Sequence, residues 1–380
     1  MRDRKAFLDA GRNDPHDLQQ KAEHPYDFVS LPAKPTPRGA PTHGSYPADR
    51  WTGTVTLTYR VLSPLHVGSG GFDLAKERGL AGGDRPVRGI VRCRDLPVLP
   101  GASWKGAVRA RFEAITNSRL GVVGTKHSKI PRAKIPSPLQ KGNGGKVDVQ
   151  IDDARVWALK PQPNVRQVSE LSGLCLADAL FGAMGYRGRV EAEEGTISSH
   201  PATKPKLVAP LESPVAHRLA KPGKASADPG GTIRISEVEG RKFYYDGPIV
   251  DERRRNGQLQ ASDEIDYVPK DATITVRVHL DSLTAAEVGA LLVAAGWGER
   301  VGVVRFGGYK AVGLGKVELK VVEPDLRLGK ERRPWWRGAT SSLDSATAVA
   351  AAYTEHLIDA GRLEELHRIT THRRDEKGAP

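Results

Sequence analysis

Three stretches of this chain set glycine beside hydroxyl and basic side chains, a combination that lets a backbone come close to phosphate. The first is Pro64-Leu-His66-Val-Gly68-Ser69-Gly70-Gly71. The second is Pro100-Gly101-Ala-Ser103-Trp104-Lys105-Gly106, which runs on to Arg109 and Arg111. The third is Arg305-Phe-Gly307-Gly308-Tyr309-Lys310-Ala-Val-Gly313-Leu-Gly315-Lys316. Glycine enters left-handed backbone regions without a Cβ penalty, and the start of a helix offers N–H groups that no helical carbonyl uses. None of the three is a nucleotide signature. Asp73 sits where the first would need a third glycine, and the second lacks P-loop spacing. A tight turn explains each one alone. Together, each beside Lys or Arg, they point to ribose-phosphate binding.

The charge agrees with that chemistry. Lys and Arg number 58 against 45 acids, a net charge of +13, and such an excess attracts polyanions and releases counterions from a phosphate backbone. Between Asn117 and Val147 there are seven basic residues and no acid, among them Lys126, Lys129, Arg132 and Lys134. Pro131, Pro136, Pro138 and a Gly-Asn-Gly-Gly turn make that stretch an extended basic loop rather than a helix. Arg241, Lys242, Phe243 and Tyr244 join cations to stackable rings, which suits single-stranded RNA; an aromatic cluster closing an insertion onto the core fits them equally. Trp335-Trp336, flanked by Arg332, Arg333 and Arg337, is read as the anchor of the last helix. His66 lies between Leu65 and Val67, so a structural or contact role suits it better than that of a general base.

Other classes drop out. The two cysteines, Cys93 and Cys175, form no paired motif, which argues for a reducing compartment and against a cysteine zinc site. No apolar run is long enough to cross a bilayer, and the opening residues are too polar for a secretory signal. A cytoplasmic location with no membrane partner is expected.

The elements that must position these residues can be read from periodicity. Residues 1–50 form a polar, extended segment. Residues 54–61 alternate as a half-buried strand that the glycines after it should end, and 96–99 form a further strand. A helix is predicted over 104–115 with Ser103 as its cap, a strand or hairpin over 148–157, and a helix over 171–181 stopped by Gly182. Residues 198–265 read as an irregular insertion. Then follow a strand over 272–280, a helix opened by the capping box Thr284–Glu287 and stopped at Gly296, a strand over 316–322, and a final helix over 345–367. This is the split βαβ order of an α+β, ferredoxin-like (RRM-like) core with large loop insertions, spanning 51–325. Residues 326–380 form a C-terminal helical extension.

These residues carry a resemblance. The pieces Ser-Pro-Leu-His-Val-Gly-Ser-Gly, Leu-Pro-Val-Leu-Pro-Gly-Ala-Ser-Trp-Lys-Gly, Leu-Ala-Asp-Ala-Leu-Phe-Gly and Phe-Gly-Gly-Tyr-Lys-Ala-Val-Gly-Leu-Gly-Lys resemble those of the RAMP superfamily, the repeat-associated proteins of type III CRISPR effector complexes. His24-Pro25-Tyr26-Asp27-Phe28-Val29 looks like the opening of a variant group in which asparagine replaces Asp27. Pro210-Leu-Glu-Ser-Pro214 and Gly240-Arg241-Lys242-Phe243-Tyr244-Tyr245 resemble insertion motifs of that group.

The resemblance implies a backbone subunit that holds guide RNA (crRNA) and its complementary target RNA, beside other RAMP and large subunits. It also implies an acid before a Pro-Val pair in subunits that cut target RNA. Here that acid is Asp84, ahead of Pro86-Val87, with Mg2+ or another divalent ion as its cofactor and with Arg85, Arg88 and Lys105 to steady charge on the phosphate. Asp84 equally suits a plain turn residue, and Asp73 and Asp95 compete for the role. The alternatives are a non-catalytic capping or spacer subunit and a metal-independent endoribonuclease that processes guide precursors through His66.

Overall fold

The computed structural model describes residues 25–44, 47–79, 83–124, 126–131, 146–161, 164–198, 205–209, 220–228, 232–247, 249–250, 254–255, 258–259, 263–331 and 342–371. Arg132, Lys134, Pro210–Pro214 and Trp335-Trp336 lie outside the described residues.

In chain order, β1 is Tyr26–Val29 and β2 is Trp51–Val61. A hairpin follows, β3 Gly68–Leu74 and β4 Pro86–Ile90, then the short pair β5 Arg92–Cys93 and β6 Leu96–Leu99, then helix α1 Gly101–Ile115. Next come β7 Lys126–Pro131, β8 Lys146–Ile151, α2 Ala154–Ala158, α3 Leu176–Phe181, β9 Val190–Ala192 and β10 Gly195–Ile197. Short strands follow: β11 Lys206–Val208, β12 Ala225–Ala227, β13 Ile233–Ile235, β14 Arg241–Tyr244, β15 Arg254–Arg255, β16 Gln258–Leu259 and β17 Asp263–Ile265. The chain continues as β18 Thr273–Leu283, α4 Ala285–Ala295, β19 Val304–Arg305, β20 Lys316–Leu328, α5 Ser345–Thr354 and α6 Ala360–Thr371. The architecture is α+β.

The central sheet has the order β19-β20-β2-β18-β10-β6-β5, with β9 also paired to β18. β2 lies antiparallel to both β18 and β20. Its alternation decides its facing: Val55, Leu57, Tyr59 and Val61 are buried, while the threonines between them turn to the other side. Helices α1 and α4 cover the apolar side. The buried Trp104 of α1 donates its indole N–H to the Tyr59 hydroxyl at 3.0 Å, and Tyr59 donates to the Ala295 carbonyl at 3.1 Å. One bond chain thus ties strand to both helices.

Helix α4 begins as its sequence predicts. Thr284 Oγ1 accepts from the Glu287 N–H at 3.0 Å, and the Glu287 carboxylate accepts from the Thr284 N–H at 2.9 Å. Gly296 ends the helix at φ +103°. Glu287 also receives the buried Arg189 at 2.8 Å, so the cap doubles as a buried ion pair.

Several expectations are corrected. The glycines after β2 do not simply make a loop, because Gly68–Gly71 belong to strand β3, whose pairing with β4 skips across a bulge between Gly68 and Phe72. Ser103 is not a cap: α1 starts at Gly101 behind Pro100, and Ser103 lies inside its first turn. The 148–157 stretch is a strand only to Ile151, after which the Asp153 carboxylate accepts from the Arg155 N–H at 2.8 Å and opens α2. The 171–181 stretch divides into a 3-10 turn, Val168–Gly173, and α3, which does stop at Gly182. The last helix is two helices, α5 and α6. His356 takes φ +51° between them, and the Asp359 N–H bonds the Ile115 carbonyl at 2.8 Å instead of continuing a helix.

Candidate nucleic-acid interface

The first and third glycine stretches fold into one surface. The Gly308 N–H donates to the His66 carbonyl at 2.8 Å, and the Gly315 N–H donates to the Pro64 carbonyl at 2.9 Å. Gly307 has φ +72°, and a Cβ there would lie 2.2 Å from the His66 carbonyl oxygen. Only glycine permits that approach. Tyr309 follows in the left-handed region at φ +55° and sets its ring edge-on to His66, 5.3 Å between centroids. Its hydroxyl donates to Asp263 Oδ2 at 2.9 Å, and burial together with that carboxylate pushes its pKa upward.

His66 lies beneath this surface, 4% exposed. Its Nδ1 is 2.8 Å from the Asp266 carbonyl, which can only accept, so the neutral ring carries its proton on Nδ1. Burial pushes its pKa below the ordinary 6.5. The glycines of β3 lie in front of it. Gly68, Ser69, Gly70 and Gly71 are all exposed, and β3 is the edge strand of the sheet β11-β17-β4-β3. Phe72 comes next on the strand, 61% exposed, with the Arg88 guanidinium 5.0 Å from its ring centroid.

The acids of β17 and the residue after it pair with three arginines in and beside β4. Arg88 reaches Asp263 at 3.3 Å, Arg85 reaches Glu264 at 3.1 Å, and Arg92 pairs with Asp266. The Nε atoms of Arg88 and Arg92 and the Oε2 of Glu264 are buried without a hydrogen-bond partner.

The RAMP superfamily profile matches residues 58–318, from the middle of β2 into β20. The chain belongs to the RAMP superfamily. A search of curated proteins gave no match. Membership points to a CRISPR-associated, RNA-binding subunit, as the motifs implied. No helix among the described residues is long and apolar enough to cross a membrane.

The second glycine stretch lies at the start of α1. A Cβ on Gly101 would lie 2.0 Å from the Ala192 carbonyl oxygen, so the helix start is pressed onto β9. Ser103 is exposed. Lys105 is half-buried, its pKa lowered by burial and partly restored by Glu191. Arg109 bonds Glu113 at 2.6 Å and the Gly182 carbonyl at 2.9 Å. Arg111 is 4% exposed and gives its guanidinium to the carbonyls of Ala294, Val301 and Val303. Burial lowers its pKa to about 10. Arg111 therefore joins α1 to α4 and to the turn after it, and the expected RNA contact through it is withdrawn: no part of the guanidinium faces outward.

In the third stretch, Gly313 closes a 3-10 turn at φ +89°, and Lys310 is half-buried with its pKa lowered by burial and by Arg305. Lys126 and Lys129 lie on β7, paired to β8, so part of the expected basic loop is strand. Asp84 lies in the turn of the β3–β4 hairpin, 2.5 Å from Lys76 Nζ, with both side chains more than half exposed. Asp73 is in β3 opposite Val87, and Asp95 is in the β5–β6 turn at φ +66°. The three acids thus occupy three different places.

Two motifs far apart in the RAMP chain meet as a ribbon. β1 and β14 pair antiparallel, with Tyr26 opposite Tyr244, Asp27 opposite Phe243, Phe28 opposite Lys242 and Val29 opposite Arg241. Phe243 packs against the main core, and Arg241 pairs with the buried Glu113. Neither faces out as expected for an RNA contact. The outward face instead carries Lys242 with Tyr26, Phe28 and Tyr244. Sequence reading named Arg241 to Tyr244 but not the strand opposite them; the spacing of Tyr26 and Phe28 two residues apart was the signal that would have put both rings on one face.

Proposed function

We propose that this RAMP protein is a guide-RNA-binding backbone subunit of a type III CRISPR effector complex on a ferredoxin-like (RRM-like) core. Four central strands in the order β20-β2-β18-β10, with α1 and α4 on the crossovers, support that core. The observation that carries the function is the joining of two glycine stretches through the Gly308–His66 bond, which presents the exposed β3 glycines as a surface against which a sugar-phosphate chain can lie. Such a reader takes backbone and shape rather than base identity.

The test is co-expression of the chain with a guide array and the other RAMP and large subunits. Short RNA of guide length should remain with the chain through high-stringency purification. A complex that assembles with this chain but yields no RNA bound to it, by crosslinking, overturns the reading.

A second reading adds cleavage of the paired target RNA, and the exposed position of Asp84 at a hairpin turn favours it. Among the described residues no three His, Cys, Asp or Glu side chains gather as metal ligands would. Asp84 is a single carboxylate already paired with Lys76, so the described residues do not fit a resident divalent ion. Asp84→Ala in the assembled complex should abolish cutting at one or more positions. Unchanged cutting at every position would remove Asp84 from the mechanism. A guide-processing nuclease working through His66 is disfavoured, because that imidazole is buried and its Nδ1 is committed to Asp266.

A further inference from the structure

The β1–β14 ribbon is built differently from a strand pair that merely closes a surface. Its inner residues are spent on the fold: Val29 is fully buried, Phe243 lies on the core, and Arg241 meets Glu113, which is 2% exposed. Its outer residues meet one another. Tyr26 stands edge-on to Phe28 at 5.7 Å and to Tyr244 at 6.3 Å. Lys242 is exposed, and its ammonium lies 4.7 Å from the Tyr26 ring centroid and 5.1 Å from that of Tyr244. Rings that support a cation in this way remain half-exposed.

We infer that this ribbon is a stacking platform for an unpaired base of RNA, with Tyr26 and Tyr244 giving ring faces and Lys242 taking the adjoining phosphate. The inference rests on the RNA-binding reading and extends it to a site outside the glycine surface. Every base has a π-face, so such a platform accepts a strand without reading its sequence. The ribbon is tied to the third glycine stretch. Tyr245, next after the ribbon, receives the Arg305 guanidinium on its carbonyl, and Asp246 pairs with Lys316 at 2.5 Å. Arg305 and Lys316 bound the third glycine stretch, so these contacts anchor the ribbon to the element that carries the glycine surface, and the proposed strand runs from one to the other. A net charge of +13 and the lysine at the centre of the platform favour a polyanion as its occupant over an apolar protein segment.

The experiment measures binding of a guide-length RNA, carrying a fluorescent purine at successive positions, to the full chain. Quenching is expected at a restricted set of positions where the purine stacks. Tyr26→Ala with Tyr244→Ala should remove that quenching and weaken binding roughly 5- to 150-fold for each stacked base lost. Tyr26→Phe with Tyr244→Phe keeps the rings and should bind like the parent, which separates loss of stacking from loss of fold. Lys242→Gln should flatten the dependence of log affinity on log salt by about 0.7, the share of one single-strand phosphate. If the parent chain binds RNA and the alanine variant binds it equally, the platform is overturned while the glycine surface stands. If the alanine variant binds RNA normally but no longer joins the other subunits, the ribbon is a protein contact and the inference is equally overturned. A parent chain that binds no RNA removes both readings.

Discussion

His66 and Glu113 show how single residues are committed. Burial holds the His66 pKa below 6.5, so the folded protein keeps the ring neutral where the unfolded chain would protonate it. The sign follows. Stability is full above pH 6.5 and declines as pH falls toward the folded-state pKa, by up to about 1.4 kcal/mol per pH unit for one proton. His66→Asn, which retains a donor near Nδ1, should flatten the denaturation midpoint below pH 6.5 relative to the parent. An unaltered pH profile would show that the imidazole titrates as if exposed. Glu113 has a different role. It is 2% exposed and holds Arg109 at 2.6 Å, the Gly121 N–H at 2.9 Å, and Arg241. Glu113→Ala takes a buried carboxylate from two partly exposed guanidinium groups, of which Arg109 keeps the Gly182 carbonyl, and should cost about 2 kcal/mol in chemical denaturation, between the exposed and the fully buried cases. A loss below about 1 kcal/mol, the range of exposed pairs, would mean that the arginines find water.

At the scale of elements, the decisive contact is between two stretches that are remote in sequence. Gly307→Ala sets a Cβ 2.2 Å from the His66 carbonyl at a φ of +72°, so the third stretch must move off the first. RNA affinity should fall by at least tenfold while α1, α4 and the central sheet persist in circular dichroism, since about 1.4 kcal/mol of displaced contact suffices for that. Equal affinity would detach this contact from binding. Which elements the sequence disclosed follows the same division between local and remote causes. β2, β18 and the Thr284–Glu287 box were legible because alternation and capping are decided within a few residues. β3 was not, because the partner that makes a strand of Gly68–Gly71 is β4, across a hairpin. The break between α5 and α6 escaped for the same reason: it depends on Ile115, a residue of α1. In the ribbon, composition revealed rings and cations at 241–244. Only the register with β1 decides that Phe243 turns inward while Tyr26 and Phe28 turn out.

For the molecule as a whole, a net charge of +13 overstates what faces a ligand. Arg111, Arg189, Arg305 and Arg362 are all buried, and each gives its guanidinium to backbone carbonyls. Part of the positive charge thus stitches the fold, and bulk composition cannot divide that part from charge left for a ligand. Near the proposed RNA path, Lys76, Arg85 and Lys242 are exposed cations. At about 0.7 per phosphate, these three account for a slope of about −2 in log affinity against log salt. The next increment is expected from the basic segment. Replacing Lys126, Lys129, Arg132 and Lys134 with alanine should flatten the slope by up to about 3 and weaken binding alike for RNAs of different sequence, as phosphate contacts require. A parent slope near −2 that the four substitutions leave unchanged would confine recognition to the glycine surface and the ribbon, and the segment's charge would then have another purpose. A steeper parent slope that these substitutions flatten makes that segment a third, purely electrostatic hold on the same strand.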